Sequence, residues 1–331
     1  MLRLSRLLDR WGDRVMIAWG RSPHGFQLTL ARSVLASSTF LVLLLNPTSV
    51  LLHDPSLVGT TPSSCTGIAS AGAFCLAPDD LGELVRWLLV AMCIPTLLGV
   101  MPAVSAPLHA YAAFSLASNT VGIEGGDYLE TTVSVVLAVV CCTDRRWNGW
   151  RPRDTALRQR RNIPAHVLLL ALKLQLAYVY LEAATVKQAH PIWADGSALW
   201  YWVQQPNFGA RSEVRELLEW VLSHGTILHA ATWGVIVTEY VLAVSVLAAR
   251  RRTPRLLTLG ASATLHLVFS MVLGLVTFEI SMLGSMLVLM WRSGDAMPWK
   301  VFRLARSGSH ERGDGSSRRG PLVQSTEKWS G

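Results

Sequence analysis

Residues 163–187 read IPAHVLLLALKLQLAYVYLEAATVK. Up to Val186 the run is apolar and long enough to cross a bilayer as a helix, which takes roughly 17–25 residues. It closes on Lys187, and Glu182 lies inside it. An ionisable group at or near hydrocarbon depth costs a few kcal/mol, so it faces a cavity or a partner. The stretch therefore decides the fold, an all-α membrane protein, and nominates a site in the same reading. Lys187 also admits a plainer role, as a helix end whose ammonium snorkels to the headgroups while Trp193, Trp200 and Trp202 form an interfacial belt.

Composition agrees with a membrane fold. The 331 residues are 51% hydrophobic and only 16% charged, against about a quarter charged in soluble domains, and the mean hydropathy is +0.34. The net charge of +8 and pI near 9.6 suggest nucleic acid at first sight. The arginines, however, stand in blocks between apolar runs, as cytoplasmic loops do, and no nucleic-acid motif accompanies them. The basic balance is topological.

Outward from the first run, clear spans are expected at about Phe26–Leu45, Ile163–Ala184, Ile227–Ala248 and Leu256–Val276. Shorter or proline-broken runs lie at Leu84–Met101, Ala103–Ser118, Tyr128–Cys142 and Ser281–Trp291. The count is about eight, with seven as the alternative. Basic residues crowd the N-terminal segment, the loop 144–162, the turn Arg250–Arg255 and the tail, whereas Asn46–Glu83 has no Lys or Arg. Eight spans put every basic block inside and both termini in the cytoplasm. Residues 1–25 then form an Arg-rich amphipathic leader on the inner membrane face. Residues 26–294 form the transmembrane domain, with outer loops 46–83 and 186–226, and 295–331 a polar, disordered tail.

Further candidates follow from this placement. Glu182 and Lys187 precede Trp193, Asp195 and Gly196 on the outer side, where a lysine in a poorly hydrated pocket can serve as a base. Gly125-Gly126-Asp127 reads as a tight turn with a helix-capping acid, or as a carboxylate facing Lys187. His266 lies mid-span with Glu279 at its outer end, and His229 and Glu239 share the preceding span. Each admits a packing role as well as a functional one. Arg32 is expected to snorkel to the inner face. Cys65 and Cys75 lie in the outer loop, where a disulfide is plausible chemistry, while Cys93, Cys141 and Cys142 read as packing residues. No pair has zinc-ligand spacing, so no metal is assigned, and no phosphate loop, GxSxG or HExxH occurs.

The order of these motifs carries a resemblance. Gly125-Gly126-Asp127-Tyr128-Leu129, the Arg/Trp loop, Tyr178-Val179-Tyr180-Leu181-Glu182-Ala183-Ala184, Lys187, and Trp193-Ala194-Asp195-Gly196-Ser197-Ala198 together resemble the HTTM domain. That multi-span module is shared with vitamin K-dependent gamma-carboxylase, and the likeness runs from about Arg32 to Leu289. Within it the chain is most similar to the SdpB family, through Ala31-Arg32-Ser33-Val34-Leu35-Ala36, Leu45-Asn46-Pro47, the Cys65/Cys75 loop and Trp193 to Trp202. The resemblance implies a bacterial inner-membrane protein that works with an SdpA-like partner to mature a secreted antimicrobial peptide toxin.

By the same resemblance Lys187 matches the lysine with which the carboxylase deprotonates vitamin K hydroquinone. Asp127 departs from it, standing where the carboxylase has a histidine. The chain also ends before any counterpart of that enzyme's large lumenal domain, so glutamate carboxylation is not expected. The alternatives are a membrane enzyme of quinone or lipid chemistry and, more remotely, a transporter or immunity protein. No cofactor is assigned.

Overall fold

The computed structural model describes residues 22–52, 65–121, 125–151, 162–206, 209–210 and 212–290. The expected leader up to residue 21, the tail from residue 291 and the arginines of 152–161 lie outside the described residues. The chain divides into units 1–293 and 294–331, and only the first contains described residues.

That unit is a helical bundle: α1 Phe26–Leu45, α2 Gly82–Leu97, α3 Pro102–Asn119, α4 Gly125–Cys141, α5 Ile163–Ala189, α6 Ser212–Leu222, α7 Gly225–Ala248, α8 Arg252–Leu273 and α9 Val276–Met290. Short helical turns fill the connections, and no strand occurs among the described residues. Helices α1, α5, α7 and α8 are long and apolar enough to cross a membrane. Helices α2, α3, α4 and α9 are shorter, at 15 to 18 residues.

The boundaries have local causes. Asn46-Pro47 stops α1, because the residue before proline is pushed out of the helical region and Asn46 is extended. Pro102 opens α3 at the first helical position, where its missing N–H costs nothing. Gly274, at φ 72°, closes α8 in the left-handed conformation that suits glycine, and α9 starts within two residues.

Helices α1 to α5 and α6 to α9 pack consecutively, α5 packs on α7, and α9 lies against α1, α4, α5 and α8, at the centre of the described bundle. Its approach to α1 depends on Gly284, where an added Cβ would stand 2.6 Å from Leu35 Cγ. Small residues let helices meet closely where lipid supplies no hydrophobic drive. The outer faces are apolar: Leu174, Tyr178 and Leu181 on α5, Val241 and Val244 on α7, and Leu257 on α8 are exposed. Such faces would be a liability in water and suit acyl chains. The chain is a polytopic membrane protein.

One end of the bundle carries α1's start, the α2–α3 turn and the segment 144–150. There Met101 N–H donates to Trp147 O at 2.8 Å, Trp150 Nε1 to Leu98 O at 2.8 Å, and Thr29 Oγ1 to Gly149 O at 2.9 Å. The opposite end carries the Cys65–Cys75 disulfide, with Cα atoms 5.6 Å apart, and the end of α5 with Lys187.

Candidate functional site

Helix α5 continues through Lys187 to Ala189, so the lysine occupies the last helical turn rather than the loop after it. Its Nζ donates to Glu239 Oε1 on α7 at 2.7 Å. The lysine side chain is 21% exposed and that of Glu239 only 3%. The ammonium also lies 5.6 Å from the Trp193 ring centroid and 5.8 Å from that of Phe269, within cation–π range. Trp193 gets there because the chain folds back at once. Trp193 N–H bonds to His190 O at 3.0 Å, Ser197 N–H returns to Ile192 O at 3.0 Å, and Gly196 makes the turn at φ 84°. An added Cβ on Gly196 would meet His229 at 2.9 Å.

A second layer lies beneath the pair. The Tyr180 hydroxyl on α5 bonds to Ser262 Oγ at 2.8 Å and His266 Nε2 at 3.0 Å, both on α8. Tyr180 and His266 are buried. The His266 ring is flanked by Phe269 and Phe278, at centroid distances of 6.1 and 5.3 Å. Three atoms here are buried without a hydrogen-bond partner among the described residues: Glu239 Oε2, His266 Nδ1 and Glu279 Oε2. A buried polar atom left unmatched costs about 1–3 kcal/mol.

The candidates read from sequence fall into place unevenly. Lys187, His266 and Trp193 meet in this cluster, and Glu279 adjoins it at the start of α9. The carboxylate on Lys187 is Glu239, not the Asp127 expected to face it. Asp127 stands in the first turn of α4. Gly126 beside it makes a close approach, not a tight turn: it lies within the helix, and an added Cβ would come 2.8 Å from Phe278 Cα. Glu182 is exposed. Asp195 is exposed too and braces the loop, accepting from Ser197 Oγ at 2.5 Å and Ser197 N–H at 2.9 Å. Those two donors hold its carboxyl below the ordinary range. Arg32 does not snorkel. It is 3% exposed and donates from Nη2 to Ser105 Oγ on α3 at 2.7 Å. Of the cysteines read as packing residues, Cys93 and Cys141 are buried and Cys142 is exposed.

One polar centre escaped the sequence reading. Glu130 on α4, 1% exposed, accepts from the Thr39 hydroxyl of α1 and from Ser281 Oγ of α9 at 2.7 Å. His109 Nε2 of α3 lies 3.2 Å from it. Both carboxylate oxygens are engaged, so Glu130 is a four-helix fastener, not an open site. The available signal was an acid and a histidine inside apolar runs. Among the described residues, no group of His, Cys, Asp and Glu is arranged to hold a metal ion.

Comparison with known proteins places this geometry in context. The chain is 24% identical over 316 residues to the uncharacterized protein YitO of Bacillus subtilis, covering 94% of this chain and 98% of YitO. It is 26% identical over 263 residues to the sporulation-delaying protein SdpB of the same bacterium, covering 78% of this chain and 79% of SdpB. No family model matches the chain, and no solved structure does. The chain is a distant relative of YitO over nearly its full length and of SdpB over about four fifths of it.

Proposed function

We propose that this protein is an integral membrane component of a peptide-toxin maturation system, working with an SdpA-like partner on a secreted toxin precursor. The observation that carries the reading is the Lys187–Glu239 pair, a partly open lysine on a buried carboxylate where two helices meet, with one carboxylate oxygen unmatched, in a chain similar to SdpB along most of its length. A charged pair in that position gives no more stability than a well-packed apolar one, so stability alone does not account for it.

The chemistry available is acid–base and recognition. Held at 2.7 Å from a buried carboxylate, the Lys187 amine has a proton-exchange partner in Glu239. His266, tied to Tyr180, is the neighbouring group able to relay a proton. In this reading the multi-pass protein sits in the bacterial cell membrane with both termini cytoplasmic and the Lys187 end facing out. Arg145, Arg146, Arg151 and Arg250–Arg252 gather at the opposite end, and the Cys65–Cys75 disulfide suits an oxidising outer compartment.

The test is deletion of the gene in its own cell with analysis of the secreted peptide by mass. Loss of the mature species, restored by the wild-type chain but not by Lys187→Ala or Glu239→Ala at equal membrane abundance, is expected. Full activity from both variants removes the site from the account. The aromatic walls, Trp193, Phe269 and Phe278, favour one second reading, an enzyme of quinone or lipid chemistry related to the HTTM proteins. It requires such a ligand to copurify and be found by mass spectrometry.

A further inference from the structure

The turn between α7 and α8 carries Arg250, Arg251 and Arg252 in succession, all exposed. No Asp or Glu occurs between Glu239 and Glu279 to balance them within this hairpin. Arg255 turns inward instead: it is buried, and its Nε donates to Arg251 O at 3.3 Å. Its backbone N–H donates to the same oxygen. The turn is therefore held from within, and three guanidinium groups stand at its surface.

Below the turn the two helices do not close on each other. They leave an open cleft of about 370 Å³, within the size range of ligand pockets, roughly 300–1,000 Å³. The sequence explains the gap. Along α7 the lining falls at Val241, Ser245 and Ala248, and along α8 at Pro254, Leu257, Thr258 and Ala261. Each set follows one helix face. Ser245, Ala248 and Ala261 are too short to fill the space between the two faces. Thr258 is buried while Ala248 and Ala261 are exposed, so the cleft has a floor within the hairpin and a mouth on its outer surface.

Depth and charge together specify the occupant. The lining runs from Ala249 down to Val241, about 12 Å of helix at 1.5 Å per residue. One leaflet's half of the hydrocarbon core is roughly 15 Å deep. A narrow apolar cleft of that depth suits an acyl chain, and the arginines at its mouth suit the headgroup the chain is attached to. Guanidinium groups bind phosphate through paired, charge-assisted hydrogen bonds. Three of them without an acid in the hairpin favour a lipid of net negative charge over a zwitterionic one.

We infer that the α7–α8 cleft is a binding site for one anionic phospholipid, an acyl chain lying along Ser245, Ala248 and Ala261 and the phosphodiester among Arg250, Arg251 and Arg252. The lipid completes the packing of a hairpin that its own side chains leave open. The inference needs only the membrane fold and stands apart from any role in peptide maturation.

The probe is dioctanoyl phosphatidylglycerol, titrated onto the full chain in detergent and counted by native mass spectrometry, with dioctanoyl phosphatidylcholine as the zwitterionic control. One phosphatidylglycerol per chain, bound at least about tenfold tighter than phosphatidylcholine, is expected. Arg250→Gln, Arg251→Gln and Arg252→Gln should each weaken it about fivefold, and as exposed positions they leave the packing alone. Ala248→Leu/Ala261→Leu fills the cleft and keeps the arginines, and it should remove the tight site at unchanged helical signal. If that pair does not fold, Ala261→Leu alone makes the same test. Equal affinity for the two lipids, or a preference that survives the triple arginine variant, overturns the inference. So does a preference that survives the filled cleft, because the arginines would then attract anions without a seat for the chain. Glycerol phosphate, the anion without the tail, binding as tightly as the lipid overturns it as well. A dimer in the same spectra that Ala261→Leu disperses also overturns it, by making a second copy of the chain the occupant.

Discussion

Replacing Lys187 with methionine leaves Glu239 without its ammonium at 3% exposure, with neither oxygen matched. Breaking a buried ion pair from one side costs about 3–5 kcal/mol. Because the lysine end of this pair is partly open, we take the lower value, about 3 kcal/mol. Glu239→Leu strands the other partner, but the lysine side chain is 21% exposed and sits in the last turn of α5. It can swing its ammonium to water, so this variant should lose only about 1–2 kcal/mol. The double variant Lys187→Met/Glu239→Leu removes both charges and fills the space with apolar atoms. It should lie within about 1 kcal/mol of wild type. The coupling between the sites is then at least about 3 kcal/mol, from a sum of single losses near 4–5 kcal/mol. The assay is unfolding of the purified chain in mixed micelles, followed by the helical signal, for all four proteins. Single losses that simply add in the double variant would refute the reasoning, because the two side chains would then not share a desolvated contact.

Other consequences can be checked alongside. Gly126→Ala drives a methyl to 2.8 Å from the Phe278 backbone, so α4 must shift from α9. A loss of about 1–3 kcal/mol is expected in the same unfolding assay, together with weakened function through the displaced Phe278 and Glu279. Cys65→Ser opens a short disulfide loop, for a loss of about 2–3 kcal/mol. In intact cells an impermeant maleimide should label Cys75 in that variant and leave the wild type unlabelled. Asp144 answers to pH. Burial works to raise its carboxyl, but the Arg146 fork at 2.8 and 2.6 Å holds it below the ordinary value. Its contribution is therefore complete above the unfolded carboxylate value near ~3.9 and lost as pH falls through the lower folded value. Thermal unfolding of the wild type should fall across that acid window, and Asp144→Asn should be flatter there.

The bundle was legible because a bilayer admits only helices and closed barrels, and predominantly apolar runs of helical length, such as residues 163–186, point to helices. The short helices were read to within about five residues of their ends, the start of α9 being furthest off, at Ser281 instead of Val276. Pro95 and Pro107 sit inside α2 and α3, where a sequence reading treats them as breaks. Lys187 was legible as a charge in a costly place. Its true partner was not, because Glu239 is 52 residues away in sequence and only the packing of α5 on α7 brings the two together. Asp127 looked like the better partner because it shares an end of the membrane with Lys187, and sharing an end does not fix a contact. Arg32 was misread for a similar reason. Nearness to a helix end suggests snorkelling, but the side chain turns inward to Ser105 on a neighbouring helix. Glu130 and His109 were missed although each is a polar residue inside an apolar run, because their meaning lies in Thr39 and Ser281, which reach Glu130 from helices far apart in sequence.

The central claim is that the outward-facing Lys187 cluster acts on a secreted peptide. Mass spectrometry of the peptide released by cells carrying Lys187→Met at wild-type membrane abundance tests it most directly. The account predicts the same unmatured mass, or the same absence, as in the deletion strain. A peptide of mature mass, released at the wild-type rate by the Lys187→Met cells, would contradict it.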